Sequence, residues 1–507
     1  MSEMVQNLYR YKPVALTILL ILSVLVPLAS PVYGIRWPFG SGNTSLPLGN
    51  DYGEYQNYTG SPAYFHPGID ILQPAGSQVY AVKSGIVKAV LTTAAEYHWR
   101  VAISDSAGSD WCDGWLYAHL DQSTIQVQVG DTVQMGDYLG DIVYWPTSGF
   151  HHCHFVKIRN QGTTWSADWK FIGNPLDELN PIDEPDPPVF ENTLANDKFA
   201  FCKENTHDYF EPGAPLSGEL DIISKIYDKI NHTYWKLIPY RIEYSIFNQT
   251  LSYGPILSFI FTDTLYWEQN VDVVFQHDAT CQSQADYQYR DYYFIVTNTD
   301  GDGIIEASDQ DHTWNTEDFP NGNYWVKVEA YDRSGHSRAD SMQVLVENFL
   351  PASGKVNLSD NPSDASGSII QIMELPRTDT TDFAGSFLFD SIGGGYYQFH
   401  VTHTGYTSAD TIAQVTGNMN LQITLQVEPY IRGDANHDQN VGIGDVVYLI
   451  NYLFKHGFIP LPFFAGDASG DARVDIGDVV YLVNYLFRGG PSPQPTILKK
   501  STVKNKN

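Results

Sequence analysis

Residues 127–143 read VQVGDTVQMGDYLGDIV, and this stretch decides the fold class. Apolar and polar residues alternate in short runs, and the pairs Gly130-Asp131 and Gly136-Asp137 break those runs as turns do. Period-two alternation punctuated by Gly-Asp is the pattern of short antiparallel strands. The flanking segments continue it: QVYAVKSGIVKAV at 78–90, HWRVAISD at 98–105 and GWLYAHL at 114–120. No window between Trp37 and Pro175 keeps a 3.6-residue period over three turns, so the region reads as mostly antiparallel β.

The whole chain has 507 residues, which suggests three or four domains. Its 43% hydrophobic and 17% charged residues exclude disorder and a collagen-like repeat. The 33 Tyr and 25 Phe favour strands over helical bundles. A formal net charge of −30 argues against a nucleic-acid partner, because phosphate binding needs a basic face.

The single long apolar run is N-terminal. Arg10 and Lys12 precede Val14–Leu28, and Val32-Tyr33-Gly34 follow. This is the layout of a secretory signal peptide over 1–34, with a mature chain from near Ile35 that is secreted or held at the cell surface and keeps no stable membrane span. A membrane anchor is the second reading, and the run is short for a bilayer core of about 30 Å. Cys112, Cys153, Cys202 and Cys281 contain no CxxC spacing. In an oxidising compartment they could form two bridges, most simply Cys112–Cys153 and Cys202–Cys281, with three connectivities open.

The expected organisation is mainly β and multidomain. An antiparallel β domain spans 35–179, and a proline-rich acidic linker, NPIDEPDPP, spans 180–188 with little to bury. Residues 189–349 resemble immunoglobulin-like or fibronectin-like sandwiches, notably in NGNYWVKVEAYDRSGH. Residues 350–428 resemble prealbumin-like modules. Neither module clusters catalytic residue types, so both read as spacers or adhesive domains. A small α pair occupies 429–491, and a disordered Pro- and Lys-rich tail follows at 492–507.

Chemistry concentrates in the first domain. Phe65-His66-Pro67-Gly68-Ile69-Asp70, Tyr117-Ala118-His119-Leu120 and His152-Cys153-His154-Phe155 are its histidine-bearing pieces. A strand puts residues i and i+2 on one face, so His152 and His154 can share a cleft while Cys153 faces away. Pro67-Gly68 argues against a helix between His66 and Asp70. A loop entering a strand fits instead, with Asp70 facing opposite to Ile69 and Ile71. Two neutral imidazoles and a carboxylate suit Zn²⁺ with an open position for water, and further imidazoles remain to move protons.

These pieces, in this order, resemble the lysostaphin-type zinc metalloendopeptidases, which cleave peptidoglycan peptides. Their pattern is HxxxD, a strand ending in HL, then HxH. The resemblance covers roughly Trp37 to Leu179. It implies that His66, Asp70 and His154 bind one catalytic zinc, that His152 is the general base, and that His119 polarises the scissile carbonyl. Cys153 stands where the family usually has Leu, and Val156 where it usually has Glu. His98 and His151 gain no support from the pattern.

The C-terminal part repeats. GDANHDQNVGIGDVVYLINYLF begins at Gly433 and GDASGDARVDIGDVVYLVNYLF at Gly466, 33 residues on. Oxygen donors recur at loop positions 1, 3, 5 and 12: Asp434, Asn436, Asp438 and Asp445, then Asp467, Ser469, Asp471 and Asp478. Asn440 and Arg473 offer backbone carbonyls at position 7, and position 9 is Asp475 in the second copy but Gly442 in the first. Such spacing suits two structural Ca²⁺ ions, with the first loop binding more weakly. The pair resembles type I dockerins, which implies a cohesin-like scaffold partner. Asn298, Asp300, Asp302, Gly303, Glu306 and Asp309 have the same spacing in the central module. No helical pattern follows them, so a turn is the first reading and calcium the second.

The expected protein is thus a secreted zinc endopeptidase acting on peptidoglycan and tethered by a calcium-dependent module. The alternative is an inactive wall-binding or scaffold-docked surface protein.

Overall fold

The computed structural model describes residues 34–57, 62–92, 97–105, 112–159, 165, 172–262, 265, 269–285, 289–359, 364–417 and 419–493. The signal peptide expected at 1–34 and the tail expected at 492–507 fall almost wholly outside the described residues. The chain is mainly β in several sheets, with two long helices near its C-terminal end. No helix among the described residues is long and apolar enough to cross a membrane.

The alternating segments of the first region form β1 (Ile69–Leu72), β2 (Gly85–Leu91), β3 (Arg100–Ser104), β4 (Gly114–Ala118), β5 (Thr132–Val133), β6 (His152–Ile158) and β7 (Ile172–Gly173). They make a seven-stranded antiparallel sheet in the order β7-β6-β4-β3-β2-β5, with β1 also paired to β6. Ile69, Ile71, Val101, Ile103, Leu116 and Phe155 are buried in its core, where Trp115 stacks on Phe155 with ring centroids 5.3 Å apart. Gly68 lets the loop before β1 lie against β6: a Cβ there would meet the Phe155 carbonyl oxygen at 2.4 Å.

Residues 189–346 form a five-stranded and a four-stranded sheet. Their core is continuous with that of the first region, a single buried cluster running from Ile35 to Val346. Polar ties cross the same junction: Asn174 Nδ2 donates to Phe261 O (2.9 Å), the Leu265 amide to Tyr52 Oη (3.0 Å), and Thr233 Oγ1 to Leu48 O. The segment expected as a loose linker is likewise held down. The Asp183 amide donates to Asn231 Oδ1 (2.7 Å), and the Ser334 amide to the buried Glu184 carboxylate (2.9 Å). Within it Glu184 and Pro188 are buried, while Asn180, Pro181, Asp183, Pro185 and Asp186 stay exposed.

Residues 349–427 form two four-stranded sheets around a separate core that includes Val356, Ile370, Phe399 and Leu425. In one sheet Phe349–Leu358 pairs parallel with Asn420–Val427. The helices α1 (Ile443–Lys455) and α2 (Ile476–Arg488) meet through Val446, Leu449, Val479 and Leu482.

No disulfide joins Cys112, Cys153, Cys202 or Cys281, so the bridges considered from sequence do not form in this structure. Cys153 is packed into the first core with its Sγ against its own strand, 3.8 Å from His154 O. Cys202 and Cys281 lie together in a small apolar cluster with Ile223 and Ile295.

Candidate metal centre

Asp70 lies mid-strand on β1 between two core residues, so alternation turns its carboxylate to the opposite face. Directly across, in register, is His154 of β6. His66 is fixed by its backbone, whose N–H donates to Glu54 O (2.8 Å) and whose carbonyl accepts from the Gly53 amide (2.9 Å). His66 Nε2 lies 3.1 Å from His154 Nδ1 and 3.3 Å from Asp70 Oδ1, and the latter two are 2.8 Å apart. Donors about 2.0–2.1 Å from a tetrahedral zinc stand about 3.3 Å from one another, so the triangle matches one face of such a site. Among the described residues this is the one group of three His, Cys, Asp or Glu side chains whose ligand atoms all lie within 4.8 Å.

The surroundings favour a bound cation. His66 Nδ1 is 2.9 Å from Asp51 O, and only an N–H can satisfy that carbonyl, so Nε2 keeps its lone pair. Asn50 Nδ2 donates to Asp70 Oδ2 at 2.5 Å and orients the carboxylate. Burial pushes His154 down to about 4, which keeps its ring neutral. Burial alone would raise Asp70, but His152 and His66 beside it hold it well below the usual carboxylate range. For His66 the order reverses: burial is outweighed by the Asp70 carboxylate and the pKa rises.

His152, two residues before His154 on the same face of β6, sits with Nε2 3.6 Å from Asp70 Oδ2. Its Nδ1 is 2.8 Å from Phe150 O. His119 follows β4 with a left-handed φ of 62°, and its Nδ1 is 2.6 Å from Tyr97 O. The His119 ring centroid lies 4.6 Å from that of His152 and 5.9 Å from that of His154. All five side chains expected at the site therefore converge. Both imidazoles give their Nδ1 hydrogen to a backbone carbonyl, so both present Nε2 as a proton acceptor. Burial first, then His152 and His154, depress His119 well below the ordinary histidine range.

Three neighbours escaped sequence reading, and a fourth was set aside. Trp145 lies 4.6 Å from His119 and 4.9 Å from His152 by ring centroids, Phe150 packs 4.9 Å from His152, and Asn50 orients Asp70. His98, set aside for want of a motif, places its exposed ring 5.5 Å from His119. None of these belongs to a local pattern that could have flagged it. His151 stands apart, accepting the Trp145 amide (3.1 Å) and packing on Tyr144.

The C-terminal loops hold their acidic residues differently. Asp434 accepts the Asp438 and Gln439 amides (3.0 and 2.8 Å), and Asp445 accepts those of Asn436 and Gly442 (3.0 and 2.7 Å). Asp467 accepts Gly470, Asp471 and Ala472, while Asp478 accepts Ser469 and Asp475. Asp438 and Asp471 are exposed, and so are Asn440, Arg473 and Asp475. Asp467 is also paired with the Arg432 guanidinium, a competing cation that the repeat gave no hint of. No set of three carboxylates here converges as the first site does.

Residues 64–166 match peptidase family M23. All five converging residues lie within that M23 segment. No curated protein matches the chain. Among solved structures, a zinc-containing peptidase from Vibrio cholerae is 21% identical with a TM-score of 0.21, the match covering 25% of this chain and 36% of that one. The catalytic domain of the antimicrobial peptidase lysostaphin from Staphylococcus simulans is 23% identical with a TM-score of 0.22, covering 27% and 93%. A type II cohesin-X-dockerin complex from Acetivibrio cellulolyticus is 16% identical with a TM-score of 0.19, covering 28% and 97%.

Proposed function

We propose that the M23 domain hydrolyses peptide bonds of peptidoglycan outside the cytoplasm, with one zinc ion held by His66, Asp70 and His154. The observation that carries this reading is the 2.8–3.3 Å triangle of donor atoms on one face of the β1–β6 ladder. Zinc bound there supplies Lewis acidity and lowers the pKa of water from 15.7 to about 7. His152, with Nε2 turned to the same face and its tautomer fixed by Phe150 O, takes the proton of the attacking water. His119 offers a lone pair in its neutral form, so it becomes a donor to the developing oxyanion only after gaining a proton. Trp145 and Phe150 wall the two imidazoles and limit their solvation.

A His152→Ala chain is expected to retain zinc by elemental analysis while its release of fragments from purified cell walls falls about 10²–10⁴-fold. An unchanged rate overturns the assignment. A parent chain that binds walls but holds no zinc and releases nothing supports the inactive wall-binding alternative instead.

The C-terminal pair serves, in this proposal, as a calcium-dependent dock for a cohesin-like scaffold protein. Supporting it, Ile443, Val447 and Phe454 on α1 and Ile476, Val480 and Phe487 on α2 are each between 51% and 66% exposed. The two triplets are related residue by residue through the 33-residue repeat, so each helix offers the same apolar face. Chelation with EGTA, or a Val447→Asp/Val480→Asp change, is expected to abolish capture by a cohesin domain in a pull-down. Capture indifferent to both removes the docking reading and leaves the peptidase reading intact.

A further inference from the structure

We propose that residues Asn298–Asp309, in the sandwich module, form a third Ca²⁺ site distinct from the zinc centre and from the C-terminal loops. Read as a twelve-position loop, the segment places oxygen donors at position 1 (Asn298), 3 (Asp300), 5 (Asp302), 7 (the Ile304 carbonyl), 9 (Glu306) and 12 (Asp309). Position 6, which must turn sharply, is Gly303 with φ +81°. The C-terminal copies force Gln439 and Ala472 into that left-handed conformation, each with φ +69°.

The internal hydrogen bonds follow the same plan. The Asp300 amide donates to Asp309 Oδ1 (3.3 Å), Asp302 to Asp300 Oδ1 (3.0 Å), Ile304 to Asp302 Oδ1 (2.7 Å) and Glu306 to Asp309 Oδ2 (2.9 Å). Position for position, the first C-terminal loop makes the same four bonds: Asn436 to Asp445, Asp438 to Asn436, Asn440 to Asp438 and Gly442 to Asp445.

The independent pointer to a ligand is Asn298. It is only 1% exposed, and its Nδ2 donates to Val273 O at 3.0 Å. That bond turns the other limb of the amide, Oδ1, away from Val273, and among the described residues this buried oxygen has no hydrogen-bond partner. It occupies the position where the C-terminal loops carry Asp434 and Asp467, whose carboxylates face into their loops. A buried acceptor at position 1, left unpaired at the head of a segment that carries four acidic side chains and no Lys or Arg between 298 and 311, is what a hard cation with oxygen ligands satisfies.

The loop also lies where the two sheets of the sandwich meet. Asp302 bridges in parallel to Leu257, and the Ile260 amide donates to Gly303 O (3.2 Å), both on the four-stranded sheet. Downstream, Trp314 pairs with Leu220 of the five-stranded sheet. An ion here clamps the sandwich rather than docking a partner.

The test counts calcium bound to the full-length, zinc-loaded chain by native mass spectrometry during a CaCl₂ titration. Asp300 and Asp302 are exposed, so an Asp300→Asn/Asp302→Asn chain folds and is expected to bind one Ca²⁺ fewer than the parent. An Asp438→Asn/Asp471→Asn chain is expected to keep that ion, whatever the C-terminal loops bind in the parent. The parent, and not the first variant, is expected to resist trypsin at least about tenfold longer when Ca²⁺ is added. Equal calcium counts in the parent and the Asp300→Asn/Asp302→Asn chain overturn the proposal.

Discussion

An Asp70→Asn chain is expected to leave dialysis against metal-free buffer without zinc, where the parent retains one ion, and to release wall fragments at least about 10²-fold more slowly. Asp70 Oδ1 is the shared corner of the donor triangle, 2.8 Å from His154 Nδ1 and 3.3 Å from His66 Nε2. Replacing the carboxylate by an amide keeps the shape but removes the only formal negative charge in the set. It also leaves Asn50 Nδ2, now a buried donor, facing a group with one acceptor oxygen instead of two. The strand is unchanged by this substitution, because Ile69 and Ile71 still fill the core beneath it. Circular dichroism like the parent's with metal lost is the expected pair of results. Zinc retained at parental affinity removes Asp70 from the ligand set.

The second large effect is expected far from the M23 segment in sequence. An Arg290→Met chain is expected to melt about 10 °C lower and to bind zinc about tenfold more weakly. Arg290, from the sandwich module, is buried against the buried Glu54 (3.2 Å) and donates to Gly49 O and Lys236 O. Its guanidinium lies 4.9 Å over the Trp235 ring, and Tyr292 Oη joins it on Glu54. The Gly49–Glu54 loop held this way is the one that supports the centre: Gly49 donates to Asp70 O, Asn50 binds the Asp70 carboxylate, and Asp51 O receives the His66 Nδ1 hydrogen. Stranding a buried carboxylate by removing its partner costs about 3–5 kcal/mol, which sets the expected thermal shift. A Glu54→Gln/Arg290→Met chain, with no charge left unpaired, is expected to recover much of the stability. Calorimetry and a competitive zinc titration check both numbers, and parental values for Arg290→Met remove the sandwich from the support of the site.

Much of this architecture was legible in residue order because its signals are local. The Gly-Asp turns of 127–143 and the alternation around them announce antiparallel strands. His152 and His154 share a face because a strand repeats every two residues. Asp70 is turned from the core because Ile69 and Ile71 are turned into it. The 33-residue repeat announced paired loop-helix units. What stayed hidden depends on partners far apart in the chain. Asn50 meets Asp70 from 20 residues away, and Arg290 meets Glu54 from 236. No window of sequence contains either pair. The ties on the proline-rich stretch were hidden for the same reason, since Asn231 reaches it from 48 residues away and Ser334 from 150. Asn298 shows the converse. Its spacing was visible, but its isolation within the interior was not.

The shared interior running from Ile35 to Val346 bears on how the region that carries the metal centre can be moved between proteins. Excising the first β region at the prolines, as a cassette for fusion, would tear open a sheet-to-sheet seam and expose Tyr52, Phe261 and Leu265 to water. The smallest piece that can be grafted whole is that first region together with its neighbour, about twice the length that the histidine motifs alone suggest.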